Sequence, residues 1–264
     1  MALVLRESNI VKYAFVSGKR TPERDNTGHR ERLRERFGKS GLSGFNNYEV
    51  VELLLTLARP RGDCKDIAKR AIDRFKSVRG VLDASPGELQ EIAGIGEISS
   101  STIKFVRALV EYYYHEQALP RGEPLGNSQA VVDYFRVSMG PLDRERFRVV
   151  FLDAQNRPLG DETLFEGTLT SSVVYPREVF KKALERKAAS IIFAHNHPSG
   201  CIEPSENDRQ ITRDLVLAAR FMDVGVLDHI IVGANAHYSF ADHGLMQEYR
   251  KQAMDFQESR RRLS

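Results

Sequence analysis

Four residues able to do metal chemistry stand close together in the stretch HNHPSGCIEPSEND: His195, His197, Ser205 and Asp208. Imidazole and carboxylate are both zinc ligands. The apolar run SIIFA before His195 predicts a buried strand, and residues two apart in a strand project from one face. His195 and His197 therefore share a face at a strand end, which Pro198 closes. Asp208 adds a third ligand if the loop PSGCIEPSEN folds back and the next helix begins beside that strand end. Three protein ligands leave one position for water, which is what a catalytic rather than a structural zinc site requires. The same letters have a second use: Ser205 followed by an acid three residues later reads as a capping box before RQITRDLVLAA. The whole spacing, H-x-H-x(7)-S-x-x-D, is a four-position pattern that chance seldom supplies.

The elements around this stretch are α/β. RFRVVFLDAQNRPLGDETLFEGTL holds two β-rich runs separated by a turn cluster. YPREVFKKALERKA reads as a helix, ASIIFAHNH as a strand, SENDRQITRDLVLAARFM as a helix and VLDHIIVG as a strand. Upstream the period is helical. NNYEVVELLLTLA, DIAKRAIDRF and SPGELQEIAG each carry an apolar face or a helix-opening signal. Two prolines and two glycines in EQALPRGEPLGNSQ mark a break. The organisation expected is a flexible arm over 1–28, an all-helical domain over 29–118, a linker over 119–128, an α/β domain over 129–252 and a charged tail over 253–264.

Composition excludes several classes. At 264 residues and 41% hydrophobic content the chain can bury a sizeable core. No apolar run is long enough to cross a bilayer, and the start lacks a long apolar segment before a cleavage site, so the reading is cytoplasmic with no membrane partner. Cys64 and Cys201 are too few for a secreted disulfide framework. The formal charge is +3; residues 1–40 hold ten Lys/Arg against five Asp/Glu, leaving −2 on the remainder. Because HRERLRERF interleaves both signs, that surplus reads as a solvated helix or arm more readily than as a nucleic-acid surface.

LQEIAGIGEISSSTIKFVRALVEYY offers two helices joined at Gly94, Ile95 and Gly96. It resembles the helix-hairpin-helix family, in which backbone amides of the turn hold a DNA phosphate. Glu97 puts a carboxylate where that family commonly has a basic residue. A hairpin used for packing or protein contact is therefore as good a reading as one that binds DNA.

The H-x-H-x(7)-S-x-x-D spacing is the JAMM signature of the JAB/MPN metalloproteases. With GHRERL, GIG, YPREVFKKALERKAASIIFAHNHPSG and LDHIIVG, the chain closely resembles the RadC family over nearly its whole length. That resemblance implies a small all-α helix-hairpin-helix domain followed by a JAB/MPN-type α/β domain with a mixed sheet flanked by helices. It implies one Zn2+ per chain on His195, His197 and Asp208, with Ser205 assisting through its hydroxyl, and hydrolysis of a peptide or protein substrate. It also suggests a link to DNA repair or recombination. The JAMM pattern needs in addition a glutamate that takes and returns a proton. Glu145, Glu162 and Glu166 precede the motif, and Glu145, just ahead of RFRVVFLDA, is chosen because the JAMM base sits near the start of a central strand. His115, His229, His237 and His243 are left as structural, and Cys201 as a loop residue. Two other functions compete: a metal-dependent nuclease, and a non-catalytic DNA-associated protein with a zinc site. In HNH nucleases the three namesake residues are separated along a ββα unit, whereas here they are consecutive on one strand.

Overall fold

The computed structural model describes residues 26–167 and 174–263. Packing divides the chain between Leu109 and Val110. The first unit is helical: α1 (Asn26–Ser40), α2 (Asn47–Ala58), α3 (Lys65–Phe75), α4 (Val78–Asp83), α5 (Pro86–Gln90) and α6 (Glu97–Ala118), with the division falling inside α6. Of the arm expected over 1–28, residues up to 25 lie outside the described ones, while Asn26–Gly28 already belong to α1.

Side-chain chemistry sets the helix ends. Asn46 and Glu49 close a capping box on α2, and Ser85 and Glu88 close another on α5, where Pro86 fills a first-turn position that needs no amide. Lys104 of α6 closes the far end of α4, donating to the carbonyls of Leu82 at 2.8 Å and Ala84 at 2.9 Å. The apolar faces meet around Val51, Leu55, Ala68, Leu89, Ile95 and Ile103.

The turn between α5 and α6 is pinned at Gly94. Its φ is +100°, and a Cβ there would lie 2.7 Å from Ile67 Cδ1 of α3. Gly94→Ala should therefore destabilise this unit by about 1–3 kcal/mol. Thermal unfolding of the full chain reads this out; a variant as stable as its parent would mean the turn is not held against α3.

The second unit adds α7 (Ser128–Met139), β1 (Arg146–Leu152), β2 (Pro158–Glu166), α8 (Pro176–Glu185), β3 (Ser190–Asn196), α9 (Glu206–Phe221), β4 (Gly225–Val232), β5 (His237–Ser239) and α10 (Leu245–Leu263). The residues expected as a charged tail continue α10 as far as Leu263. The stretch expected as a linker packs onto this unit: Leu119 is buried, and the Leu125 amide donates to the Asn156 carbonyl at 2.9 Å. No helix among the described residues is long and apolar enough to cross a membrane.

The strands form one mixed sheet in the order β2-β1-β3-β4-β5, in which only β3 and β4 pair in parallel. Alternation sorts the side chains. Val150, Leu152, Ile192 and Ala194 pack with Val131 and Phe135 of α7, while Phe147, Val149, Ile191 and Phe193 pack with Val179 and Phe180 of α8 and Leu215 of α9. Burial on both faces is why β3 reads as an unbroken apolar run. A parallel pair needs a crossover, and α9 supplies it, so the start of α9 returns to the end of β3.

Candidate metal centre

His195 extends the Phe147 and Phe193 face of the sheet, and His197 follows directly after the last residue of β3. With α9 starting beside this strand end, three ligand atoms converge. His195 Nε2 lies 2.9 Å from His197 Nε2 and 3.0 Å from Asp208 Oδ1, and His197 Nε2 lies 3.6 Å from Asp208 Oδ2. Among the described residues these three are the group of His, Cys, Asp and Glu side chains close enough to hold a metal ion. His195 and Asp208 are buried, and His197 is partly open.

The capping box and the ligand cluster are both present, because Asp208 divides its two oxygens. Oδ2 accepts from the Ser205 amide at 2.7 Å and from the Ser205 hydroxyl at 2.6 Å, and the Asp208 amide donates to Ser205 Oγ at 3.1 Å. Oδ1 is left toward His195.

The donor set fits a small divalent cation. A tetrahedral ion with bonds of about 2.0–2.1 Å spaces its ligand atoms roughly 3.3 Å apart, close to the spacings here. His197 Nδ1 donates to the Cys201 carbonyl at 2.6 Å, which leaves a lone pair on Nε2. Burial holds His195 below its ordinary pKa despite the pull of Asp208, so its ring is neutral. Burial works against ionisation of Asp208 too, but the imidazoles of His195 and His197 and the Ser205 hydroxyl beside it outweigh it and hold the carboxyl far below the usual range. Asp208 beside it raises His197, so a cation at Nε2 competes with a proton there.

Asn196, between the two histidines, points to the other face and clasps the segment before β1. Its Oδ1 accepts from the Arg146 amide at 2.8 Å, and its Nδ2 donates to the Arg144 carbonyl at 3.0 Å. Glu145 lies between those two anchors. Its carbonyl accepts from the Gly167 amide at 2.9 Å, so strand pairing reaches it. Phe147 pairs with His195, and Glu145 directly precedes the first residue of β1. The charge of Glu145 acts on both imidazoles. The other glutamates are engaged elsewhere: Glu162 with Arg186 at 2.8 Å and Lys182 at 3.4 Å, and Glu166, opposite Arg146, with that arginine at 3.3 Å.

Two further residues touch the cluster: His229, read from the sequence as structural, and Thr212, which the sequence did not single out. His229 of β4, fully buried, sits 2.8 Å from His195 Nδ1 through its Nε2, and Thr212 of α9 sits 2.7 Å from His229 Nδ1. The structural role expected of His229 is thus exercised against a candidate ligand. His115 pairs with Asp161 and His243 with the Ser239 carbonyl, both away from the centre. Cys201 is exposed and contributes its carbonyl.

Comparison with known proteins bears on the whole chain. Residues 125–245 match the model of the RadC-like JAB domain. A UPF0758 protein of Fusobacterium nucleatum subsp. nucleatum is 39% identical over 230 residues, covering 85% of this chain and 99% of that relative. The chain belongs to the RadC family. In this RadC-family protein the matched residues span the entire sheet, so the metal cluster lies inside the JAB domain.

The hairpin residues are placed differently from the cluster. Gly94 and Gly96 are exposed, whereas the Ile95 side chain is in the core and its amide donates to the Ile92 carbonyl at 2.9 Å. Arg59 donates to the Gly94 carbonyl, and Arg70 to the Ala93 carbonyl at 2.7 Å, so two guanidinium groups stand against the turn.

Proposed function

We propose that this RadC-family chain is a zinc-dependent hydrolase of amide bonds, a metallopeptidase or isopeptidase of the JAMM type acting on a peptide or protein. The observation that carries the reading is the convergence of His195, His197 and Asp208 at the end of β3. A single zinc ion, when bound, acidifies a water and polarises the scissile carbonyl. His195, His197 and Asp208 would hold it. Glu145 takes the proton from the attacking water and returns it to the leaving amine. Ser205 assists by keeping Asp208 Oδ2 engaged through its hydroxyl.

The test pairs metal content with cleavage. Protein purified without metal supplementation should contain near one zinc per chain, in the parent and in Glu145→Gln alike. Cleavage of a peptide or isopeptide library should fall about 10²–10⁴-fold in Glu145→Gln. Unchanged cleavage would remove Glu145 from the role of base. A folded parent that neither contains zinc nor takes it up would overturn the metal centre.

Association with DNA through the hairpin at Gly94, Ile95 and Gly96 is a second reading, supported by Arg59 and Arg70 beside the turn. It requires an affinity that falls steeply with salt and survives loss of Asp208.

A further inference from the structure

We infer that His229 and Thr212 are positioning residues that lock His195 in its metal-ligating tautomer, an inference that rests on the metal-centre reading. The argument is a count of protons along one buried chain of contacts. Thr212 Oγ lies 2.5 Å from the Asp208 carbonyl, which can only accept, so the single hydroxyl proton goes there. Thr212 Oγ must then accept from His229, which puts the His229 proton on Nδ1. His229 Nε2 is left with a lone pair, and it faces His195 Nδ1 at 2.8 Å, so that nitrogen carries the His195 proton. His195 Nε2 is thereby left with its lone pair, 2.9 Å from His197 Nε2 and 3.0 Å from Asp208 Oδ1, so three acceptors face one another around the position a cation would take.

The reverse orientation does not close. If His195 carried its proton on Nε2, His229 would donate from its own Nε2, and Thr212 would have to donate to His229 Nδ1. Thr212 Oγ and the Asp208 carbonyl would then face each other as two acceptors 2.5 Å apart. No water is at hand to relieve that conflict, because Thr212, His195 and His229 are fully buried. Aromatic contacts hold the relay in place: the His229 ring stacks on Phe240 at 4.6 Å and packs on Phe193 at 4.5 Å. The chain runs from the backbone of one candidate ligand, Asp208, through two side chains that touch no metal, to the ring of another. It joins α9, β4 and β3. Outer partners of this kind set the orientation and basicity of a ligating imidazole.

The experiment uses the full chain and two readouts independent of hydrolysis. Zinc affinity is measured by competition with a chromophoric chelator. The tautomer of His195 is read from long-range ¹H–¹⁵N correlations of the ring nitrogens in the metal-free protein. The parent should show His195 protonated on Nδ1. Thr212→Val, nearly isosteric, and His229→Phe should each weaken zinc binding about 10–100-fold and give His195 a mixed or reversed tautomer, while Thr212→Ser should restore both. A parent with His195 protonated on Nε2, or a folded Thr212→Val binding zinc as tightly as the parent, would overturn the inference. A parent that binds no zinc would sink it together with the metal centre. Intact zinc affinity without any cleavage would sink only the hydrolase reading.

Discussion

Asp208→Ala is expected to strip the metal and, separately, to destabilise the metal-free chain. One of three protein ligands is lost; if it carries roughly a third of the ~10–16 kcal/mol that tight zinc sites supply, affinity falls about 10²–10⁴-fold. The metal-free protein loses the acceptor of the α9 capping box, worth about 0.5–2 kcal/mol. The substitution also removes the carboxylate that His195 and His197 face. Asp208→Asn separates these effects. It retains an oxygen for the Ser205 amide but removes the charge, so metal content should collapse while the cap largely survives. Elemental analysis and unfolding in chelator check both. Full metal occupancy in Asp208→Asn and Asp208→Ala would exclude Asp208 from the ligand set.

Asn196→Leu should cost about 2–4 kcal/mol. Two good hydrogen bonds disappear, a third contact at 3.5 Å to the Leu142 carbonyl is too long to count for much, and the Arg146 amide is left without its side-chain acceptor. The released segment carries Glu145, so cleavage should fall while metal content stays at the parent level. Asn196→Asp provides the contrast: it keeps the acceptor for Arg146 and loses the donor for Arg144, so its loss should be intermediate. Denaturant unfolding and metal analysis on the same samples decide this. A fully stable Asn196→Leu would show that the clasp contributes nothing.

What could be read from the sequence followed the range of the interactions involved. The three candidate ligands lie within one strand–loop–helix stretch, so His195, His197 and Asp208 come together through local connections, and the capping box at Ser205 is equally local. The apolar run of β3 and the helical face of α9 exposed the elements that carry them. His229 was hidden because only the parallel pairing that sets it opposite Phe193 brings β4 to the site, and no pattern within LDHIIVG announces a partner on β3. Glu145 was one of three candidates for the same reason: what holds the segment around it is Asn196 of β3, reaching the Arg144 carbonyl and the Arg146 amide, a long-range contact. The stretch with two prolines and two glycines does interrupt the helical pattern. Its few apolar residues, Leu119 and Leu125, nonetheless tie it to the second unit, which composition alone understated. The two arginines against the Gly94 turn come from α3 and the loop before it, a long-range contact without a local signal.

Because a single carboxylate both starts α9 and faces the histidines, occupancy of the centre and order at the beginning of that helix belong to one equilibrium. A cation that binds only the folded arrangement stabilises it in proportion to the logarithm of its free concentration. The loop from Pro198 to Pro204, tethered at its middle by the Cys201 carbonyl on His197 and followed by Ser205 on Asp208, is included in that coupling. On the proposed reading of the centre, metal availability controls backbone dynamics: amide exchange in the first turn of α9 should slow as zinc is added and quicken in chelator, whatever the substrate proves to be.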